Sequence, residues 1–269
     1  MSYLSVCSIY RDDAEYLPEW IEFHRLVGVE RFLLYNNFSV DSHREVLAPY
    51  VAEGTVEIHD WPEGFPQALR RAYDDCLSAH REDSRWIAFI DVDEFLFSPE
   101  GRLLPDVLAE YEEHPGVAVN WAMFGTSGHA HKPEGLVTES YVQRTADPGT
   151  NNRVKSIVDP RRAIRCKHSH HFAYASGSAV DENHQPVDSW YTPSVSFSKL
   201  RVNHYWTRSE AEARRKWDLW DTTGTPRPWR MYETMRDSLN ELHDDTITRY
   251  VPALRAALDR RAAGRPTKV

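Results

Sequence analysis

Cysteine is scarce in this chain: Cys7, Cys76 and Cys166 are odd in number, widely spaced and without a CxxC pair. That pattern excludes a disulfide framework and a thiolate zinc site, and makes a reducing cytoplasm the expected compartment. Long apolar runs are missing as well. No stretch of about 18 apolar residues occurs, and the opening MSYLSVCSIYRDD is too short in its apolar part for a signal peptide. Neither export nor stable membrane insertion is expected. Surplus positive charge is also lacking: 32 Lys and Arg stand against 41 Asp and Glu, a formal net charge of -9. Sequence-independent nucleic-acid binding, which needs cations facing the phosphates, is therefore excluded as the main activity. An acidic chain that handles an anionic ligand needs a metal ion or a local basic patch. The glycine-rich phosphate cradles GxGxxG and GxxxxGKS or GxxxxGKT follow none of the strand candidates, and no internal repeat or low-complexity segment occurs.

What is present suffices for a core: 269 residues with 41% hydrophobic and 12% aromatic content. Four apolar strand candidates fill the first hundred residues, at 4 to 10, 31 to 37, 55 to 61 and 86 to 92. Between them apolar residues recur at helical spacing: Leu17, Trp20, Ile21, Phe23, His24 and Val27; then Val46, Leu47 and Tyr50; then Leu69, Ala72, Tyr73, Cys76 and Leu77. Strands alternating with helices predict a mostly parallel, doubly wound α/β sheet, whose ligands bind beyond the carboxyl ends of the strands. Those ends carry Tyr10-Arg11-Asp12-Asp13, Asn36-Asn37, Asp60-Trp61 and Asp91-Val92-Asp93, so polar residues gather at one edge. Beyond residue 115 the pattern loosens, and the second half reads as β hairpins packed on the sheet. From Ser209 the text turns helical, opened by the capping-box pattern SEAE.

The stretch Trp86 to Phe97, WIAFIDVDEFLF, places three carboxylates in a run suited to a buried strand. Buried charges need a positive partner. Read as extended chain, Asp91 and Asp93 lie on one side and could hold one divalent ion, whose other positions Mg²⁺ or Mn²⁺ would fill with phosphate oxygens and water. Solvated acids at a strand end would look the same. A phosphatase of the haloacid dehalogenase type also carries DxD, but on its first strand with a Thr or Val following, whereas here Glu94-Phe95 follows the fourth strand.

The ordered set YLPEWIEFHRLVGVERFLLYNNFSVD, VLAPYVAEGTVEIHDWP, QALRRAYDDCL and WIAFIDVDEFLF resembles glycosyltransferase family 92 and the related family 2-like sequences of the GT-A fold. Later fragments, NWAMFG with TSGH, VKSIV and VNHYWTRS, are similar to that family too. Where the family has a Lys-Asn-Glu-like triplet after its first strand, Arg11-Asp12-Asp13 stands. The resemblance implies a Rossmann-like GT-A domain over residues 1–269: a nucleotide-binding half to residue 98, an acceptor-side half at 99–208 and C-terminal helices at 209–269. It implies a metal-dependent, inverting transfer from a nucleoside diphosphate sugar, with uridine diphosphate as the expected nucleotide and Mn²⁺ or Mg²⁺ as the ion. By the same resemblance Asp93 binds the metal directly, Asp91 meets the donor ribose or reaches the metal through water, and His204 supplies a third ligand. Tyr10, Arg11, Asp13, Asn36, Asn37 and Ser39 surround base and ribose with Asp60 at the third strand end, while Gln67 and Arg71 open a helix toward the nucleotide. Lys155 and one of Arg214, Arg215 or Lys216 would help hold the leaving diphosphate. Asp181, Glu182 and His129 are the candidate bases for the acceptor hydroxyl.

Two other functions remain open. A sugar-phosphate nucleotidyltransferase shares the sheet and the acidic site but would want a glycine-rich basic loop after the first strand. A binding module without catalysis would have no use for Asp91, Asp93 and His204 together. The cluster His168, His170 and His171 has no companion at zinc-ligand spacing and reads as alternation along a strand or as the polarity of an acceptor-side loop. The tail from Arg249 carries six basic residues, Arg249, Arg255, Arg260, Arg261, Arg265 and Lys268, against Asp259. Val251, Leu254 and Leu258 share a helical face there, so docking on the body is expected in preference to lying on an anionic membrane.

Overall fold

A computed structural model describes residues 1–64, 67–222 and 229–264. Its first half contains β1 (Ser2–Tyr10), α1 (Leu17–Leu26), β2 (Arg31–Asn36), α2 (His43–Ala52), β3 (Val56–Asp60), α3 (Ala68–Ala79), β4 (Ser84–Phe89), β5 (Glu94–Phe97) and α4 (Leu104–Leu108). The second half contains β6 (Gly116–Met123), α5 (Val137–Ser140), β7 (Gln143–Arg144), α6 (Pro148–Asn151), β8 (Val154–Val158), β9 (Ala163–His168), β10 (His171–Tyr174), β11 (Ala179–Val180), β12 (Pro186–Val187) and β13 (Arg201–His204). The helical end contains α7 (Glu210–Thr222), α8 (Trp229–Met235), β14 (Leu242–His243) and α9 (Val251–Ala262).

Strand β1 is buried on both faces, with Leu4, Val6 and Cys7 fully covered, as a strand between two helical layers requires. It pairs in parallel with β2, Cys7 opposite Leu33, and with β4, Cys7 opposite Phe89. Strand β3 adds in parallel to β2. Helices α1, α2 and α3 make the crossovers, so the alternating pattern of the first hundred residues folds as the parallel α/β sheet that its periodicity predicts. The three cysteines are buried and form no disulfide.

The second half does not sit on this sheet as separate hairpins; it lengthens it. The sheet runs β12-β11-β6-β8-β4-β1-β2-β3. The physical reason lies in GVAVNWAM and VKSIV, apolar runs without alternation that suit strands covered on both faces. Strand β8 is antiparallel to both β4 and β6. One hairpin, β9–β10, does pack on the layer, with Phe172 against Phe89 at 4.6 Å between ring centroids. The histidine cluster spans the turn of that hairpin instead of alternating along one strand.

Strand β13 joins the two halves. It runs parallel to β6, His204 opposite Met123, and antiparallel to β5, His204 opposite Glu94. The carboxyl ends of β4, β6 and β13 therefore meet at the amino end of β8. Helix α9 docks on α1 and α2: Leu254 and Ala257 are buried, the Arg261 guanidinium lies 4.1 Å over the Tyr50 ring, and Arg261 Nη2 donates to Glu22 at 3.0 Å. This is the docked tail expected above, apart from Arg265 and Lys268, which lie outside the described residues. Among the described residues, no helix is long and apolar enough to cross a membrane.

Candidate active site

Asp91, Val92 and Asp93 form a turn and not extended chain, closed by the Glu94 amide donating to the Asp91 carbonyl at 3.0 Å. This corrects the expectation that period-two alternation aligns the two carboxylates. The turn arises because Glu94 enters the core as the first residue of β5, and its own Oε2 accepts the Asp91 amide at 2.8 Å. The two aspartates consequently meet different cations. Asp91 Oδ2 accepts from Lys155 Nζ at 2.8 Å, and the same ammonium stands 3.2 Å from Glu94 Oε2. Asp93 Oδ2 accepts from Lys216 Nζ at 2.6 Å, while Asp93 Oδ1 lies 3.4 Å from His204 Nε2. The three carboxylates in an apolar run thus have their positive partners, supplied by β8 and α7.

The electrostatics follow from burial and these pairs. Burial opposes ionisation of Asp93, but Lys216, with His204 and Arg208, holds its carboxyl well below the ordinary value. Burial pushes Glu94 well above its ordinary value despite Lys155, since Asp91 and Asp93 add to the effect. Burial lowers His204 in spite of Asp93, so its imidazole is neutral at pH 7. Burial would lower Lys155, yet Asp91 and Glu94 keep its ammonium above the usual lysine range. Asp13, at the end of β1, is pushed up to about 6 by burial, with Arg208 opposing and Asp93 adding.

Neutral imidazole and ionised carboxylate are the forms that bind metal ions. His204 Nδ1 and Glu94 Oε1 are buried without a hydrogen-bond partner and stand 3.8 Å apart, an arrangement able to orient the ring behind a bound ion. Asp93 and His204 thus fit a divalent cation. Asp91, turned toward Lys155, does not close a set of three with them: among the described residues, only Glu57, His59 and His80 bring three such ligand atoms within 4.8 Å of one another.

A cleft of about 330 Å³ opens beside His204, lined by Trp121, Met123, Gly149, Thr150, Arg153, Trp206 and Met235. Trp121, at the carboxyl end of β6, packs at a tilt of 57° with its ring centroid 4.3 Å from that of His204. His204 therefore belongs to both the charged turn and an aromatic cleft.

The other expected residues separate into three groups. Lys216 joins the turn, whereas Arg214 lies over the Trp229 ring at 3.8 Å and Arg215 is exposed. At the ends of β1, β2 and β3 the polar side chains are tied into a loop framework. Asn36 donates to Asp60, which Arg44 also grips at 2.6 and 2.7 Å; Asn37 donates to the carbonyls of Trp61 and Glu63; Ser39 Oγ accepts the Asp12 amide. Tyr10 is buried edge-on to His43 at 5.5 Å, Arg11 is exposed, and Arg71 pairs with Glu63 near the exposed Gln67. The third group is the expected bases, which are held by local hydrogen bonds away from the charged turn. Asp181 accepts the amides of Asn183 and Gln185 in the β11–β12 turn. Glu182 accepts the amides of Ser198, Lys199 and Leu200 within 2.7 to 2.9 Å. His129 Nε2 lies 3.1 Å from the Ser140 carbonyl, edge-on to Tyr141.

Arg208, Trp121 and Trp206 are the site residues that the sequence alone did not single out. Arg208 has φ of 49°, rests 3.4 Å over the Tyr16 ring and points at Asp13 from 3.8 Å. A non-glycine residue held in the left-handed region at a cluster of charges is the pattern of strain stored at functional sites. Its signal was its place in VNHYWTRS, two residues beyond the aromatic pair.

The family model described as Glycosyltransferase family 92 matches residues 2–243. A protein of that family from Oryza sativa subsp. japonica is 35% identical over 161 residues, 58% of this chain and 27% of its own length. A second, from Arabidopsis thaliana, is 26% identical over 288 residues, covering 93% of this chain and 48% of the relative. The Arabidopsis thaliana protein named Galactan beta-1,4-galactosyltransferase GALS3 is 32% identical over 195 residues, 70% of this chain and 37% of its own. The chain thus spans about a quarter to a half of the length of these relatives.

Proposed function

The chain belongs to glycosyltransferase family 92, and from that premise we propose that it moves a hexosyl group from a uridine diphosphate sugar to an acceptor hydroxyl with inversion, using a divalent ion. One observation carries this reading: His204 is shared between the charged turn and the aromatic cleft, so a diphosphate held at the turn would lie beside a sugar in the cleft. Asp93 and His204 would hold the ion, which when bound supplies positive charge to the diphosphate. Imidazole in the set favours Mn²⁺ over Mg²⁺. Lys216, which pairs with Asp93, and Arg208 would meet the leaving phosphates. Lys155 fixes Asp91, whose carboxylate would face the donor ribose. The loops after β1 and β2, with Arg11 and Ser39 at their rims, would frame the base, and Trp121 and Trp206 the sugar. The relatives named as galactan beta-1,4-galactosyltransferases make galactose the first sugar to test. A β link built from an α-linked sugar nucleotide is an inversion, which supports that outcome here.

The test is a panel of uridine diphosphate hexoses with Mn²⁺, following release of uridine diphosphate and, by NMR, the anomer formed. Release with β product is expected. No release from any member, together with no Mn²⁺-dependent rise in melting temperature on adding them, would sink the reading.

A pH dependence follows from Asp13. Its ionised carboxylate holds Arg208 in place, so turnover should rise with pH through about 6. Stability changes in the opposite direction: a carboxyl raised above its unfolded value contributes stability below about pH 4 that is lost as pH rises through its folded value. Asp13→Asn should flatten the acid limb of kcat; an unchanged limb would remove Asp13 from this role.

A further inference from the structure

Far from the acidic turn, β3 forms the outer edge of the sheet, and its side chains facing α3 are Glu57 and His59, two residues apart. His80 follows directly on the last residue of α3 and is 5% exposed. Glu57 Oε1 lies 3.3 Å from His59 Nε2 and 4.0 Å from His80 Nε2, and neither nitrogen has a hydrogen-bond partner. All three ligand atoms lie within 4.8 Å of one another.

We propose that Glu57, His59 and His80 form a zinc site that clips the end of α3 to the edge strand, independent of the transferase reading. Two imidazoles and a carboxylate suit Zn²⁺, with water in the fourth position. Ligand atoms around a tetrahedral ion with bonds near 2.1 Å stand about 3.4 Å apart. The Glu57–His59 distance already has that value, and His80 closes in by a small movement.

The surroundings supply what orients such ligands. His80 Nδ1 lies 3.1 Å from Asp83 Oδ2, which directs Nε2 toward the site. Glu57 Oε2 accepts from Arg31 at 3.0 Å, leaving Oε1 for the ion. His59 is stacked on Tyr35, 4.6 Å between centroids with planes 13° apart, and the Tyr35 hydroxyl donates to Asp75 on α3. A buried imidazole nitrogen without a partner, aimed at a carboxylate oxygen beyond hydrogen-bond reach, is costly unless something bridges the gap. A cation bridges it. Closing the site would also protect an edge strand that otherwise offers an unpaired rim.

The test uses the full chain after chelation, with Zn²⁺ or Co²⁺ as probe and Asp93→Ala/His204→Ala as the background that removes the other candidate metal site. One equivalent of zinc should remain after gel filtration in both wild type and that background. The melting temperature should rise by roughly 5 to 10 °C at a hundredfold excess over Kd. Cobalt should give the visible absorption of a four-coordinate ion. His59→Gln and Glu57→Gln, both at partly exposed positions that tolerate exchange better than His80, should each abolish the shift. A wild type whose melting ignores zinc, or zinc binding that survives His59→Gln but vanishes in the Asp93→Ala/His204→Ala background, would overturn the proposal.

Discussion

Asp93→Asn is expected to lower kcat/KM by roughly 10³-fold while leaving the protein folded, the size of loss that follows removal of a charge-stabilising group from an active site. Asp93 is the carboxylate that touches both His204 and Lys216. Its amide replacement keeps the shape but neither binds a cation strongly nor holds Lys216. The fold should tolerate the change because Lys216 is a third exposed and can turn to water. Stability should still change with pH in a defined direction. A carboxyl held well below its ordinary value contributes stability that is full above about pH 4 and lost as pH falls below it. The mutant should therefore lose less stability than wild type between pH 5 and 3. Calorimetric titration with Mn²⁺ and the nucleotide, beside turnover and urea midpoints, checks all three. Retained Mn²⁺-dependent turnover within tenfold of wild type would move the metal site away from Asp93.

The strands of the first half were legible because each is an apolar run between turn residues, and β1, β2 and β3 fall within two residues of the positions their pattern predicts. The fourth ends at Phe89, not 92, because Glu94 must return to the core and folds Asp91 to Asp93 into a turn. Periodicity cannot show this, since the cause is a hydrogen bond three residues along. The capping box at Ser209 was readable for the opposite reason: both partners are local, and the Ser209 amide does donate to Glu212 at 3.1 Å. Glu182 illustrates what local reading misses. In GSAVDEN it stands as an acid in a polar loop, but its oxygens are filled by amides 16 to 18 residues later in the chain. Arg208 is similar, for an arginine before a helix cap carries no sign of the tyrosine beneath it or the aspartate it faces. The chemistry of the turn was visible as residue types, and its geometry came from contacts that only the folded sheet creates.

Lys155→Met is expected to cost about 3 to 5 kcal/mol of stability at pH 8, because it leaves Glu94, which is fully buried, and Asp91 without their shared ammonium. By the usual scaling this is a drop of roughly 10 °C in melting temperature. The loss should shrink as pH falls. Without Lys155 the Glu94 carboxyl rises further above its unfolded value, and a group raised in the folded state contributes stability that is full below about pH 4.5 and lost as pH rises. Mutant and wild type should therefore approach each other at pH 5 and separate toward pH 8. Glu94→Gln added to Lys155→Met removes the second buried charge and should return most of the stability. It should not return turnover, since Asp91 still lacks the Nζ contact at 2.8 Å that aims its carboxylate. Urea denaturation from pH 5 to 8, paired with kcat and KM on the same proteins, separates the two roles. If the double variant regained both stability and rate, Lys155 would serve only to neutralise Glu94. If Lys155→Met matched wild type at pH 8, the buried pairing itself would be refuted.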